Sequence, residues 1–264
     1  MARTRLDEEL DELNLSIVRL GSLVDSALEQ ALEALKTRDL AICGLVIASE
    51  NIIDDLRREI AQHAFRLLTL QQPLGGRDLR FIASASIIAG ELERIGDGAE
   101  GIAELLVRMA SPESLPGEQT PQPPNQSLPG LPGRTTEEVA MWSPTEPSIV
   151  QEMLDLGREA RRVLQGTIKA FDKRDARAAR YIWEEDDVVD VRYHMVRHSL
   201  MTKLEGVHAA TAVARDTWIL QRMTFYLWMA HNLERVADHC TNICERIVFV
   251  VEGDSTILPT DSNP

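Results

Sequence analysis

His231-Asn232-Leu233-Glu234-Arg235-Val236-Ala237-Asp238-His239-Cys240-Thr241-Asn242-Ile243-Cys244-Glu245-Arg246 reads as one helix with two faces. Met229, Leu233, Val236, Cys240, Ile243, Ile247 and Val250 recur at alternating four- and three-residue steps, the seam of a coiled-coil-like core helix. One position behind the seam runs a polar stripe of Glu234, Asp238, Thr241 and Glu245, with Asn242 beside it. A near-copy stands 141 residues earlier, Glu93-Arg94-Ile95-Gly96-Asp97 against Glu234-Arg235-Val236-Ala237-Asp238. Its seam is Ile88, Leu92, Ile95, Ala99, Ile102 and Leu106, and its stripe is Glu93, Asp97, Glu100 and Glu104. One helix used twice, each time with carboxylates stacked on one face, predicts an all-α protein built from two equivalent halves.

The rest of the chain extends this pattern. Leu6, Leu10, Leu13, Ile17, Leu20, Val24, Ala27 and Ala31 predict a first helix ending near Lys36, and Val46, Ile53, Leu56, Ile60 and Leu67 a second ending near Leu70. Gln72-Pro73-Leu74-Gly75-Gly76 breaks the pattern, and a third helix follows from Asp78 to about Met109. Three further helices are expected over 149–171, 175–204 and 215–251. Short connections make each set an antiparallel three-helix bundle. The predicted organisation is a first repeat over 1–110, a linker over 111–147, a second repeat over 148–252 and a tail over 253–264. The linker holds most of the chain's 12 prolines, so it is not helical throughout. Composition favours an exposed flexible connection over a docking tail. Pro121-x-x-Pro124 and Pro129-x-x-Pro132 are cheap matches in such a stretch.

Bulk properties narrow the function. The formal net charge of −14 over 264 residues disfavours nucleic acid and anionic membrane as direct partners and favours cations or a basic protein surface. No apolar run reaches the roughly 18 residues of a membrane span, and the start carries no signal-peptide core. Cys43, Cys240 and Cys244 lie in helical patterns, which suits a reducing cytoplasm.

The halves align residue by residue. Glu50 and Asp54 precede Asp186 and Asp190 by 136 residues. Each half thus carries two acidic-x-x-x-Asp motifs: Glu50 with Asp54 and Glu93 with Asp97, then Asp186 with Asp190 and Glu234 with Asp238. Residues four apart share a helix face, and like charges there repel by roughly 0.2–0.5 kcal/mol per pair. No lysine stands four residues from these pairs. Two antiparallel neighbours would bring four carboxylates into one groove, a hard oxygen site suited to iron(III), manganese, magnesium or calcium, or to zinc with added imidazole or amide. Glu100 and Glu104 extend the first set, and His239, Asn242 and Glu245 the second. His194 and His198 add imidazoles at helical spacing, although such residues are more often simply on the surface. Arg94 and Arg235 would bind an anion or pair with carboxylates of adjacent helices.

Leu92-Glu93-Arg94-Ile95-Gly96-Asp97 and Leu233-Glu234-Arg235-Val236-Ala237-Asp238-His239-Cys240-Thr241-Asn242-Ile243 resemble the paired signatures of the PhoU family of phosphate-uptake regulators. So does Gln71-Gln72-Pro73 followed by Arg77-Asp78-Leu79-Arg80. The resemblance spans nearly the whole chain outside the linker. It implies two tandem three-helix bundles with pseudo-twofold symmetry, and multinuclear metal clusters, of iron or of Zn, Mn, Mg or Ca, on the acidic motifs. It further implies a non-enzymatic, cytoplasmic negative regulator, expected as a homodimer. Its partners would be the ATPase subunit of a phosphate ABC transporter and a phosphate-sensing histidine kinase. The chain departs from the family pattern at Gly98 and Gly101, where histidine and asparagine are usual; each glycine costs about 1 kcal/mol of helix stability and is expected to weaken the first metal site. Gly75-Gly76 and the long linker are further departures. A di-iron carboxylate oxidase is the rival enzyme reading, but its Glu-x-x-His pattern occurs only at Glu205-x-x-His208. A metal-free helical adaptor is the other rival.

Overall fold

The computed structural model describes residues 2–70, 74–110, 146–208 and 213–253. Within them the chain forms α1 (Ala2–Thr37), α2 (Leu40–Leu70), α3 (Gly76–Ala110), α4 (Glu146–Lys173), α5 (Ala176–Glu184), α6 (Asp186–His208) and α7 (Val213–Glu252). No strand occurs among the described residues. The predicted turn at Gln71-Gln72-Pro73, residues 111–145 of the predicted linker and the tail beyond Gly253 lie outside the described residues. Glu146 and Pro147, expected at the end of the linker, already belong to α4.

One expected helix is two. The fifth predicted rod is interrupted at Glu185, where Asp186 starts α6 anew. The Glu185 N–H donates to the carbonyls of Ile182 at 3.1 Å and Tyr181 at 3.2 Å, a tightened last turn. The Glu185 carboxylate accepts from Arg162 of α4 at 2.8 Å, which holds the break against the neighbouring helix.

Every residue of the four seams quoted for α1, α2, α3 and α7 is buried, as the alternating spacing requires. α1, α2 and α3 pack on one another, and α7 packs on α4, α5 and α6. The two bundles then join through α3 against α7 and α1 against α4, so their cores merge into one hydrophobic cluster.

The pseudo-twofold relation shows in matched details. Arg38 and Arg174, 136 residues apart, both have positive φ, at 62° and 51°. Each is followed by an aspartate that caps the next helix: Asp39 accepts from the Ala41 N–H at 2.8 Å, and Asp175 from those of Arg177 and Ala178 at 3.0 Å. The α1–α4 crossing repeats the same device. A Cβ on Gly21 would stand 2.8 Å from Ile168, and one on Gly157 would stand 2.2 Å from Leu32; Gly157 and Ile168 are the 136-residue equivalents of Gly21 and Leu32. Glycine is needed at both places because a helix backbone meets a large side chain there. At the centre of this crossing Arg161 grips Asp25 at 2.7 and 3.1 Å and Glu29 at 2.6 Å.

Candidate functional site

Helix α3 supplies Glu93, Asp97, Glu100 and Glu104, and α2 supplies Glu50 and Asp54. The groove between these packed helices brings the two sets together. Glu93 and Asp97 are pushed above the usual carboxylate range, first by lost hydration and then by facing carboxylates, with Asp54 acting on both. Glu100 is raised for the same reasons, by burial and by Glu50, Glu104 and Asp97. Asp54 differs. Arg57 donates to its Oδ1 at 2.9 Å, Arg58 pairs with its other oxygen, and Arg57 also reaches Glu93 at 3.3 Å. The Arg57 hydrogen bond leads the causes that hold Asp54 below its ordinary value. The lack of a lysine near these pairs therefore does not leave the first groove unneutralised, because arginine does that work.

The second groove has the same carboxylate plan on α6 and α7. Asp190 is raised by burial and then by Glu234, and Asp238 by burial, Glu234 and Asp190 in that order. The side chain of Asp186 is not among those described, nor are those of Glu205 and His208. At the positions matching Arg57 and Arg58 stand Tyr193 and His194. The His194 ring leans on Tyr193 at 5.8 Å, and its positive form would ease Asp190. Glu234 takes a hydrogen bond from His231 at 2.8 Å. His198 is exposed. Glu245 is half-buried, two turns and about 10 Å along the helix from Asp238, so it does not stand beside that carboxylate.

His239 and Asn242 have a role that their spacing did not show. They face α3 of the other bundle, where Glu91 Oε2 lies 2.8 Å from His239 Nδ1 and 3.1 Å from Asn242 Nδ2. Glu91 also has Arg94 at 3.7 Å. Burial raises the Glu91 carboxyl, but the His239 and Asn242 hydrogen bonds outweigh it and leave the group below its usual value. Glu91 is therefore an ionised acceptor and His239 Nδ1 carries the proton. His239 is only 6% exposed, and its Nε2 is buried without a hydrogen-bond partner among the described residues. An unsatisfied buried polar atom of this kind costs about 1–3 kcal/mol.

The equivalent corner of the first repeat is filled differently. Gly98 and Gly101 replace the histidine and asparagine, and Asn232 of α7 stands where Glu91 stands on α3. A Cβ on Gly101 would lie 2.8 Å from Asn232 Nδ2, and one on Gly98 would lie 3.5 Å from the Asn232 carbonyl oxygen. These glycines make room for a helix approach as well as lowering helix propensity.

Sequence spacing missed a further cluster. Glu9 and Glu12 of α1 and His63 of α2 have ligand atoms within 4.8 Å of one another, the one such group of three among the described residues. His63 Nε2 is 2.9 Å from Glu9 Oε2. The motif carboxylates stand farther apart, so a cation there would draw side chains together or more than one ion would span them. Cys43, Cys240 and Cys244 are free thiols in the core. No helix among the described residues is long and apolar enough to cross a membrane.

What fold and site define is an acidic, tandem three-helix-bundle protein with a carboxylate groove in each repeat. A PhoU domain model matches residues 17–106 and 153–247, one match per repeat, and the chain belongs to the PhoU family. It is 26% identical over 258 residues to a protein of Clostridium acetobutylicum described as a phosphate-specific transport system accessory protein PhoU homolog, covering 98% of this chain and 99% of the relative. The crystal structure of the phosphate transport system regulatory protein PhoU from Streptococcus pneumoniae superposes with a TM-score of 0.71 at 25% identity, over 96% of this chain and all of that one. PhoU from Pseudomonas aeruginosa gives a TM-score of 0.70 at 24% identity, over 94% and 99%, and shares the fold.

Proposed function

We infer that this protein is a metal-binding regulator of phosphate uptake. It restrains a phosphate-specific ABC transporter, through the ATPase subunit, and a phosphate-sensing histidine kinase when phosphate is plentiful. It acts in the cytoplasm as a homodimer and catalyses no reaction itself. The observation that carries this reading is the family match in both repeats. It is supported by a relative named as an accessory protein of phosphate transport that aligns from end to end. The net charge of −14 suits basic partner surfaces and cations.

The carboxylates suit the metal part of the reading. Asp97, Asp190 and Asp238 lose hydration and repel their neighbours, so each is easier to protonate than usual; a cation stabilises the same place. Oxygen donors of this kind favour iron(III), manganese, magnesium or calcium, and an imidazole nitrogen would admit zinc. Asp190, Glu234 and Asp238, with Asp186, would hold the ions of the second repeat. Glu50, Asp54, Glu93, Asp97, Glu100 and Glu104 would hold those of the first. The bound metal would stiffen the α2–α3 and α6–α7 grooves, because ligands from two helices become one rigid unit.

Deleting the gene in its host tests the regulatory role. Phosphate-starvation genes should be expressed, and phosphate taken up, in phosphate-rich medium; unchanged expression and uptake would refute it. Metal analysis of the purified protein separates the rivals. A metal-free adaptor holds none, and a di-iron enzyme consumes oxygen with a reductant.

A further inference from the structure

We propose that His239 gives the second-repeat carboxylate groove a nitrogen ligand through Nε2, and that Glu91, on the other bundle, is the positioning residue that holds it in that role. The metal centre of the second repeat is then built by both bundles. This inference rests on the metal-binding reading above and adds to it one ligand atom and one residue outside the acidic motifs.

Three independent features of His239 meet. First, its Nδ1 is engaged by Glu91 at 2.8 Å. An ionised carboxylate only accepts, so the proton sits on Nδ1 and the neutral ring presents a lone pair at Nε2. Second, that Nε2 is buried and has no partner among the described residues, in a residue 6% exposed. Third, His239 follows Asp238 directly on α7, and its positive form would ease both Asp238 and Asp97; the ring therefore stands within electrostatic reach of a carboxylate from each groove. A carboxylate on one imidazole nitrogen and a metal on the other is how protein ligand histidines are usually oriented. Asn242 completes the support, donating at 3.1 Å to the same Oε2 that His239 uses.

The repeat relation makes the feature one-sided. Glu91, His239 and Asn242 correspond to Asn232, Gly98 and Gly101. Asn232 fills the space above the two glycines, and no imidazole exists there to orient. The first groove is thus an all-oxygen site, and the second has oxygen and nitrogen. Nitrogen donors shift preference toward zinc and later first-row ions, so the two grooves differ in which ion they take as well as how tightly.

Nitrogen-15 NMR of the full-length protein, labelled on histidine and titrated with Zn2+, tests this. His239 signals are assigned with His239→Gln. Nε2 of His239 should move from the free-lone-pair to the metal-bound position while Nδ1 stays protonated. Glu91→Ala should weaken zinc at the second groove about 10- to 100-fold and leave the first unchanged. Glu91→Gln, whose carbonyl oxygen still accepts from Nδ1, should fall between wild type and Glu91→Ala. Zinc binding with an unmoved His239 Nε2 would overturn the proposal and leave the functional reading intact. Binding of no metal at all would overturn both. The wild-type titration decides the ligand question even where Glu91→Ala fails to fold.

Discussion

The two carboxylate grooves share one plan and opposite electrostatics. In the first, Arg57 and Arg58 pair with Asp54, and Arg57 also reaches Glu93. In the second, the equivalent residues are Tyr193 and His194, and Asp190, Glu234 and Asp238 have no arginine in those places. The first groove is partly neutralised by the protein, and the second leaves that to whatever binds. Helix geometry makes the carboxylates converge in both repeats, but only side-chain identity four residues along decides how much cation the groove still attracts. The same asymmetry recurs where α3 meets α7: Glu91, His239 and Asn242 form a polar clasp at one corner, and Gly98 and Gly101 give way to Asn232 at the other.

Removing a central ligand tests this contrast hardest. Asp238→Ala should lower metal content, measured by elemental analysis at matched metal concentration, at least about tenfold at the second groove. Asp97→Ala should cost the first groove less, because Arg57 already competes for Asp54 and Glu93. Asp238→Ala should also lower the melting temperature of the metal-loaded protein more, since metal bound only to the folded state adds its binding free energy to folding. Equal losses from two folded mutants would break the asymmetry.

A swap sharpens it. Arg57→Tyr together with Arg58→His gives the first groove the residues of the second. Its Mn2+ affinity by calorimetry should rise about five- to tenfold, on the order of 1 kcal/mol, since charge pairs near the surface are weakened by solvent. An unchanged affinity would mean that the arginines swing clear of a bound ion.

Protons should compete in the same place. Glu93, Asp97, Glu100, Asp190 and Asp238 are raised in the folded state, chiefly by burial, so folded protein binds more protons than unfolded across the raised interval. Stability from these groups is full at low pH and is lost as pH rises through their folded values. Metal-free wild type should therefore gain less stability than Asp238→Asn between the ordinary aspartate range and neutrality. Saturating metal should reverse the trend, because ions bind the deprotonated form. Melting temperatures against pH, with chelator and with metal, provide the check.

The smallest effect concerns the glycine corner. A Cβ on Gly98 meets Asn232 at ordinary contact distance, 3.5 Å. Gly98→Ala should therefore stabilise the protein by about 0.5–1 kcal/mol through helix propensity, and leave metal binding at the first groove unchanged. A loss of stability in chemical denaturation would show that the helices approach more closely there than this spacing allows.

Much of this was legible in one dimension. Every seam residue chosen by four–three spacing is buried, and the acidic pairs do share grooves, because a helix maps sequence period directly onto faces. Arg58 was readable too: it stands four residues after Asp54, and arginine neutralises a helix face as well as lysine does. The break at Glu185 was not readable. The pattern on either side continues, and the interruption is held by Arg162 from α4.

By itself the sequence determined an all-helical chain, its two repeats, its cores and the stacked carboxylates, all of which follow from spacing within a single helix and from alignment of one half with the other. Only the tertiary structure decided how α3 lies against α7. That crossing gave His239 and Asn242 to Glu91, set Asn232 over Gly98 and Gly101, and placed His239 between Asp97 and Asp238. The physical reason is that contacts across bundles depend on the register and angle of two packed helices. Those are set by the sum of many core contacts, including the glycine crossings of α1 with α4, and no local period records them.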